Sequence, residues 1–206
     1  MTERASTGRF SRAVARLRRL ASDRRGVAAV EFAFIAPVLL TLYFVTMEVS
    51  QGVEANKKVG RVASMVADLV TQQPEVTASN LEAIMAIGAA IIQPYNRTEP
   101  QIEITAIQMT NDAQARPIVV WSRRMADGGF AQGEGEGDET DVPEQLRIQN
   151  TFLVRVAATL DYRPVITWAA DNKASFGLAS AFDRIDMREQ YYLRPRMSQT
   201  IDCDDC

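Results

Sequence analysis

A run of 21 residues from Val27 to Met47 constrains this chain more than any other part of its sequence, because it contains a single charged side chain, Glu31. At about 1.5 Å per helical residue the run is roughly 30 Å long, which is the thickness of the hydrocarbon core of a bilayer. Pro37 lies inside the run and removes one backbone hydrogen bond, so a kink is expected there. The sequence therefore predicts one membrane-spanning helix.

The residues before this run predict its orientation. Residues 1–26 contain eight arginines against two acidic residues, Glu3 and Asp23. Short arginine-rich segments stay on the cytoplasmic side of a membrane. We therefore expect residues 1–26 to be a basic cytoplasmic leader, residues 27–47 to cross the membrane once, and residues 48–206 to form a domain on the other side.

Glu31 lies near the start of the predicted span, where a carboxylate is costly unless it reaches the interface or a cation. In one interpretation its side chain extends to the lipid head groups. In the other, a peptidase cuts the chain after Gly26, so that Val27 becomes the new amino terminus and Glu31 the fifth mature residue. The new amine and the carboxylate then lie one helical turn apart.

The junction between leader and span resembles the processing site of type IV prepilins, and more closely that of the TadE-like pseudopilins of the tight-adherence (Flp) pilus system. The matching string is RRGVAAVEFAFIAPVLL at 24–40, and the similarity extends over 24–70. The ending RPRMSQTIDC at 194–203 is also similar to the carboxy-terminal pattern of that family. The resemblance implies cleavage after Gly26 by a membrane aspartyl prepilin peptidase that recognises a motif including Glu31 and Phe32. It also implies that Glu31 pairs with the amino terminus of a neighbouring subunit.

The same resemblance implies a location, partners and a fold. The protein is expected in a bacterial inner membrane as a single-pass protein, with its amino terminus in the cytoplasm and its carboxy-terminal domain in the periplasm. Its expected partners are the prepilin peptidase, other pilin or pseudopilin subunits, the inner-membrane pilus assembly platform and the membrane itself. The expected fold class is α+β and pseudopilin-like, with a long amino-terminal helix packed on a small antiparallel sheet.

Composition excludes several classes of function. Without the eight basic and two acidic residues of the leader, 15 of the 23 basic and 24 of the 26 acidic residues remain, so the exported part has a net charge of −9. Nucleic-acid binding needs a basic face instead. The chain has no histidine, which excludes Ser-His and Cys-His nucleophilic sites and His-ligated metals. Because the sequence also carries no phosphate-binding loop or nucleophile motif, we predict no enzymatic activity, no cofactor and no metal site.

Beyond the span, the helix is expected to continue to about Val70, because small and apolar residues recur along one stripe. Residues 72–74, Gln-Gln-Pro, should end it. Ser79, followed three residues later by Glu82, is typical of a capping box and predicts a second helix that ends near Ile92. Its apolar positions are expected to pack on a sheet: Leu81, Ile84, Met85, Ile87, Gly88, Ile91 and Ile92.

Four segments have the pattern of β-strands. Residues 102–106 alternate as a half-buried strand and are expected to form a hairpin with 118–121, whose tryptophan we place in the core. Residues 151–160 are apolar on one face and largely so on the other, as in a central strand. The last candidate is 185–193, where Glu189 interrupts the pattern. The connection before it is expected to bury a few side chains locally: Val165, Ile166 and Trp168.

Residues 126–144 form the one low-complexity segment, ADGGFAQGEGEGDETDVPE, which combines five glycines with many acidic side chains. Such a composition buries too little apolar surface to become ordered. Carboxylates bind hard cations such as Ca²⁺, but the residue spacing of a calcium loop is missing. We therefore predict a solvated, flexible loop.

The chain has two cysteines, Cys203 and Cys206, within the sequence IDCDDC. The two aspartates between the thiols disfavour the thiolate that a redox catalyst needs. A local disulfide in an oxidising periplasm is the preferred interpretation, while intermolecular pairing and free thiols both stay open. A two-cysteine metal site without histidine is the least favoured.

Alternative functions remain compatible with the sequence. A pilus assembly subunit is favoured jointly by the leader, Gly26, Glu31 and the long helix. A membrane-anchored periplasmic binding or adhesion module, which keeps its leader and never enters a pilus, is the main alternative. Residues 1–26 also resemble a mitochondrial presequence in their apolar stripe, and a secretory signal is weakened because no small-x-small cleavage site follows the span.

Overall fold

The computed structural model of the chain describes residues 26–95, 97–164 and 185–206. The predicted leader, apart from Gly26, lies outside these residues, and so does the predicted local burial of Val165, Ile166 and Trp168. The chain divides into two compact units, of which the first ends at Met47 and the second extends from Glu48 to Cys206.

The first helix, α1, runs from Val27 to Thr71 without interruption and includes Pro37. This confirms the predicted long amino-terminal helix, which ends just before Gln72. In the second unit α1 buries one stripe of small and apolar side chains at three- and four-residue spacing, as expected for a helix that packs on a core. The buried stripe consists of Ala55, Val59, Val62, Ala63, Val66, Ala67 and Val70.

The second helix, α2, extends from Ala78 to Ile91. The predicted capping box at Ser79 is wrong, because Thr77 is the N-cap and its hydroxyl accepts a backbone N–H of the first turn at 3.3 Å. A cap two residues earlier satisfies one of the N–H groups that a helix start leaves without partners. Glu82, the other half of the predicted box, instead forms an ion pair with Arg123 of the sheet.

The apolar face of α2 packs against the core mostly as predicted, since Leu81, Met85 and Ile92 are fully buried. Ile87 is the exception, because 55% of its surface remains exposed. Gly88 lies where α2 packs closely on α1: a methyl group built on it would lie 2.7 Å from a methyl carbon of Val66. Glycine at this position therefore permits close packing of the two helices.

An antiparallel sheet of five strands follows, in the spatial order β4-β3-β2-β5-β6. Its strands are β2 (Gln101–Met109), β3 (Pro117–Ala126), β4 (Gly129–Gln132), β5 (Phe152–Tyr162) and β6 (Ile185–Leu193). The predicted hairpin is the β2–β3 pair, with a register shift between Ala106 and Ile107. β5 lies between β2 and β6, so both of its edges are paired, but the middle strand of the sheet is β2. A separate parallel pair joins β1 (Glu75–Val76) to β7 (Asp202–Cys203).

The two faces of the sheet bury different sets of side chains, because side chains alternate along a strand. The face toward the helices holds the main core, to which β5 contributes Phe152, Val154, Val156 and Ala158. Trp121 belongs to this core, as predicted. Leu153, on the opposite face of β5, belongs to a smaller cluster with Ile107, Met109 and Val142. Together, the long helix and the antiparallel sheet form the predicted α+β fold.

Residues 126–144 differ from the predicted flexible loop. They contain strand β4, which pairs with β3, and a further bridge between Glu139 and Ile118. Val142 is fully buried against the smaller cluster. The segment 133–142, which we call the arm, is thus fixed to the sheet by backbone hydrogen bonds and by one apolar anchor.

A buried arginine holds this arm from the sheet. Arg155 of β5 forms an ion pair with Glu134 and donates to the Thr140 hydroxyl at 2.9 Å and to the Asp141 carbonyl at 3.1 Å. It also donates to the Thr105 hydroxyl of β2 at 3.2 Å. The cation that pairs with Glu134 therefore comes from a strand outside the segment, so the composition of the segment alone gave the wrong prediction.

Candidate functional site

The predicted processing site lies at the start of α1. Gly26 directly precedes the helix, and Val27 is its first residue. Among the residues that the structure describes, no group other than the chain neighbours lies within 4 Å of the position that a side chain would take at Gly26. Glu31 follows four residues after Val27, and positions four apart in a helix are neighbours on one face. Phe32 is 69% exposed, so the residues of the predicted motif are accessible.

From Val27 to Met47, α1 exposes its apolar side chains on every side. Among the described residues it is the one helix that is long and apolar enough to cross a membrane, and the window of α1 that meets this test has no buried residue. A helix that is apolar all round requires an apolar environment, either a protein core or a lipid bilayer. Because this stretch has no core around it in the described structure, it is consistent with membrane anchoring.

Two hydroxyl groups inside the apolar stretch find partners within the helix. The hydroxyl of Thr41 donates to the Pro37 carbonyl at 2.8 Å, and the hydroxyl of Thr46 donates to the Leu42 carbonyl at 2.8 Å. In a hydrocarbon environment, hydrogen-bonding groups need such internal partners because no water is present. The two threonines are thus compatible with a span.

Just after the apolar stretch, two tyrosines bind acidic side chains of α1. Tyr162, at the end of β5, donates to Glu48 at 2.8 Å, and Tyr95 donates to Glu54 at 2.9 Å. Burial, followed by the hydrogen bond to Glu48, raises the pKa of Tyr162 well above its usual range. The hydrogen bond to Glu54 is the main cause that raises the pKa of Tyr95. Lys58 lies over the Tyr95 ring, 5.1 Å from its centroid.

Sequence reasoning missed these tyrosines as contacts of α1. Periodicity places side chains on the faces of a helix or strand, but it does not show which residues meet across 41 or 114 positions of sequence, as these two pairs do. The sequence held one signal, for Tyr162: a tyrosine at the end of a strand has an apolar ring and a polar hydroxyl, which needs a hydrogen-bond partner when the ring is buried.

The two cysteines are joined by a disulfide, with their Cα atoms 5.7 Å apart. Cys203, Asp205 and Cys206 also lie close enough together to form a potential metal-binding group. Because both sulfur atoms are bonded to each other, they are not available as thiolate ligands. In the described structure the two cysteines therefore form a disulfide that closes a short loop directly after β7.

A comparison with known protein families found a match over most of α1. Residues 26–68 match the model of a family described as TadE-like protein. This confirms the resemblance identified in the sequence, within that segment, and supports a protein that is associated with the Tad pilus and the membrane. The match ends inside α1, so α2 and the sheet lie outside it. No curated protein and no solved structure matches the chain.

Proposed function

We propose that this chain is a TadE-like pseudopilin of the Flp tight-adherence pilus system, which a prepilin peptidase cleaves after Gly26 and which then takes part in pilus biogenesis. One observation carries the proposal: Gly26, Glu31 and Phe32 occur together at the exposed start of an apolar helix, where the match to the TadE-like family also begins. A core helix of a soluble protein does not need this combination.

The proposed cleavage breaks the peptide bond between Gly26 and Val27. Water adds to the Gly26 carbonyl carbon, the leader departs with a new carboxylate on Gly26, and Val27 keeps the new amine. Glycine presents no side chain at this bond, and none of the described residues beyond its chain neighbours crowds the position, so a peptidase can approach the backbone closely. The catalytic groups belong to the peptidase, and this chain supplies the bond and the recognition motif.

After cleavage, Glu31 is the acid that meets an amine within the membrane. A lone carboxylate in hydrocarbon is costly, and a nearby cation offsets much of that cost because charges interact strongly at low dielectric constant. Removing one partner of such a buried pair is strongly destabilising. We propose that the Val27 amine of a neighbouring subunit is the partner of Glu31 in the assembled structure.

The proposal assigns a topology and a set of partners. The arginine-rich leader stays in the cytoplasm, residues 27–47 cross the inner membrane, and residues 48–206 lie in the periplasm. The Cys203–Cys206 disulfide supports this orientation, because disulfides persist in oxidising compartments. The partners are the prepilin peptidase, other pilin or pseudopilin subunits and the inner-membrane assembly platform. In this proposal the chain is a structural component and not an enzyme.

A membrane-anchored periplasmic binding or adhesion module is the second candidate. The observation that favours it is that the family match covers most of α1 but does not extend to α2 or to the five-stranded sheet, which could serve another purpose in such a module. This alternative predicts that the leader stays attached, because a membrane anchor functions without cleavage after Gly26.

A pair of glycine substitutions tests the proposal in cells that contain the peptidase. Gly26→Ala should leave most of the chain with its leader attached, as measured by mass spectrometry of the purified protein, because the added methyl group lies directly at the bond to be cut. Gly52→Ala is the matched control in the same helix, since a side chain there meets only an ordinary contact with Tyr162, at 3.8 Å. Equal processing of the two variants and the wild type would contradict recognition at Gly26.

A further inference from the structure

The last part of the described chain, residues 194–206, crosses several elements of the second unit, and we call it the C-terminal strap. Its Arg196 donates its backbone N–H to the Thr71 carbonyl at the end of α1 at 2.9 Å and pairs with Asp68 at 2.6 Å. Further along, the backbone carbonyl of the buried Ile201 accepts a hydrogen bond from the indole N–H of Trp121 at 2.7 Å. The strap thus contacts the first helix and the core of the sheet before it reaches the cysteines.

Beyond β7, the strap contacts the start of α2. The carboxylate of Asp205 accepts the backbone N–H of Ala78, the first residue of that helix, at 2.7 Å. Thr77 satisfies a different N–H of the same turn, so the two side chains act on separate groups. A negative charge at this position also interacts favourably with the helix dipole. Asp205 is therefore a second cap of α2, supplied by a residue 127 positions away in sequence.

The disulfide closes a ring around this cap. Asp204 and Asp205 lie between Cys203 and Cys206, and the bond between the two sulfurs fixes both ends of this short segment. Both cysteines are partly exposed and line a surface cavity beside Trp121, so a reagent has access to them. Without the bond, the backbone that carries Asp205 gains freedom, and the cap loses the constraint that holds it on α2.

We propose that oxidation of Cys203 and Cys206 is the step that fixes Asp205 on the amino terminus of α2, so that this second cap is complete only where a disulfide-donating oxidant is present. In this step the two thiols release two protons and two electrons and form one S–S bond. The oxidant, a reactive disulfide, takes up both electrons and protons and becomes a pair of thiols. The fold then differs between a reducing and an oxidising compartment at one defined helix start.

Amide hydrogen exchange on the full chain in detergent micelles tests this coupling. Reduction of the disulfide in the folded wild type should lower the protection of residues 78–81 about fivefold, the change that loss of a typical helix cap produces. Asp205→Ala in the oxidised protein, which removes the carboxylate that accepts the Ala78 N–H, should give a similar loss. Asp204→Ala is the matched control, because it removes the neighbouring carboxylate within the same ring and leaves the cap in place.

Combining reduction of the disulfide with substitution of Asp205 tests whether the two act on the same cap. If the disulfide acts through Asp205, reducing the Asp205→Ala variant should cause little further loss at residues 78–81, because the cap is already gone. Additive losses, or unchanged protection of 78–81 after reduction of the wild type, would overturn the inference. Reduction of folded protein is used so that the result does not depend on whether a Cys203→Ser, Cys206→Ser variant folds. The inference also stands apart from cleavage after Gly26, which is measured by mass and not by exchange.

Discussion

Tyr162 and Glu48 are 114 residues apart in sequence, and the tyrosine hydroxyl donates to the glutamate carboxylate across 2.8 Å. Glu48 is the first residue after the apolar stretch of α1, and Tyr162 ends β5, a strand paired on both sides. The ring of Tyr162 also approaches Gly52, one turn further along α1. This relationship joins the sheet to the helix at the beginning of the second unit and makes the stability of the protein sensitive to high pH.

The pH dependence follows from the direction of the pKa shift. Because the pKa of Tyr162 is raised in the folded protein, the unfolded chain loses the phenolic proton first, at a pH of about 10. The stabilisation is therefore complete below about pH 10 and is lost as pH rises above that value. Thermal unfolding of the wild type and Tyr162→Phe between pH 7 and 11 should show a steeper fall for the wild type. Parallel curves would contradict this role of Tyr162.

At neutral pH the same substitution tests the hydrogen bond itself. Tyr162→Phe should lower the free energy of unfolding by about 1 kcal/mol, the net value of a typical hydrogen bond. Chemical unfolding of the full chain in detergent measures the change. Tyr192→Phe is a suitable control, because its hydroxyl makes only a long hydrogen bond of 3.4 Å within its own strand.

Arg155 should be among the most sensitive positions of the sheet. Its side chain is 8% exposed, and Arg155→Ala leaves Glu134 without its cation and removes hydrogen bonds to Thr140 and Thr105. Loss of one partner of a buried ion pair costs about 3–5 kcal/mol. Because Glu134 is partly exposed, we expect a value near the lower end, measured by chemical unfolding together with faster hydrogen exchange in the arm.

The control for this prediction is Arg116→Ala. Arg116 pairs with Asp112 at 3.6 Å, but its side chain is 59% exposed, and surface ion pairs contribute about 0–1 kcal/mol. Equal effects of the two alanine substitutions would show that Arg155 does not hold the arm in place.

Two glycines give opposite predictions for the same substitution. Gly88→Ala places a methyl group 2.7 Å from a stiff, β-branched Val66, so the gain in helix propensity of about 1 kcal/mol should be outweighed by overpacking of about 1–3 kcal/mol. Gly60→Ala meets only an ordinary contact at 3.7 Å from Glu189, so the protein should become more stable. A melting temperature that rises in both variants would contradict the close approach of α1 and α2.

Glu31 should matter for assembly and not for insertion. Glu31→Ala removes the proposed partner of a neighbouring amine, while the apolar stretch becomes still easier to insert. Isolation of membranes, followed by recovery of pilus-associated complexes, measures both outcomes. Glu54→Gln is the control, because Glu54 lies outside the apolar stretch and binds Tyr95. Unchanged assembly of processed Glu31→Ala would remove Glu31 from the proposed mechanism.

Much of the fold follows from local sequence patterns. The apolar run and the stripe after it predict α1, and alternation predicts β2, β3, β5 and β6. The interruption of β6 at Glu189 has a simple cause in the structure: its carboxylate accepts a hydrogen bond from Asn56 of α1 at 3.3 Å. The polar residue on the apolar face of β6 thus indicated a hydrogen bond to α1.

The features that sequence reasoning missed depend on residues far apart in the chain. The arm is ordered by Arg155, and α2 receives a cap from Asp205, neither of which belongs to the local segment. The choice of Thr77 over Ser79 as N-cap was also open, since both residue types favour that position. The start of α1 is the opposite case, because the motif from Gly26 to Phe32 is local and needs no tertiary contact to be identified.

The mass of the amino-terminal peptide, measured on protein recovered from its native host, tests the central claim most directly. The proposal predicts a mature chain whose first residue is Val27, with Glu31 at its fifth position. A chain recovered from assembled membranes with residues 1–26 still attached would contradict processing after Gly26 and leave the anchored module as the better account.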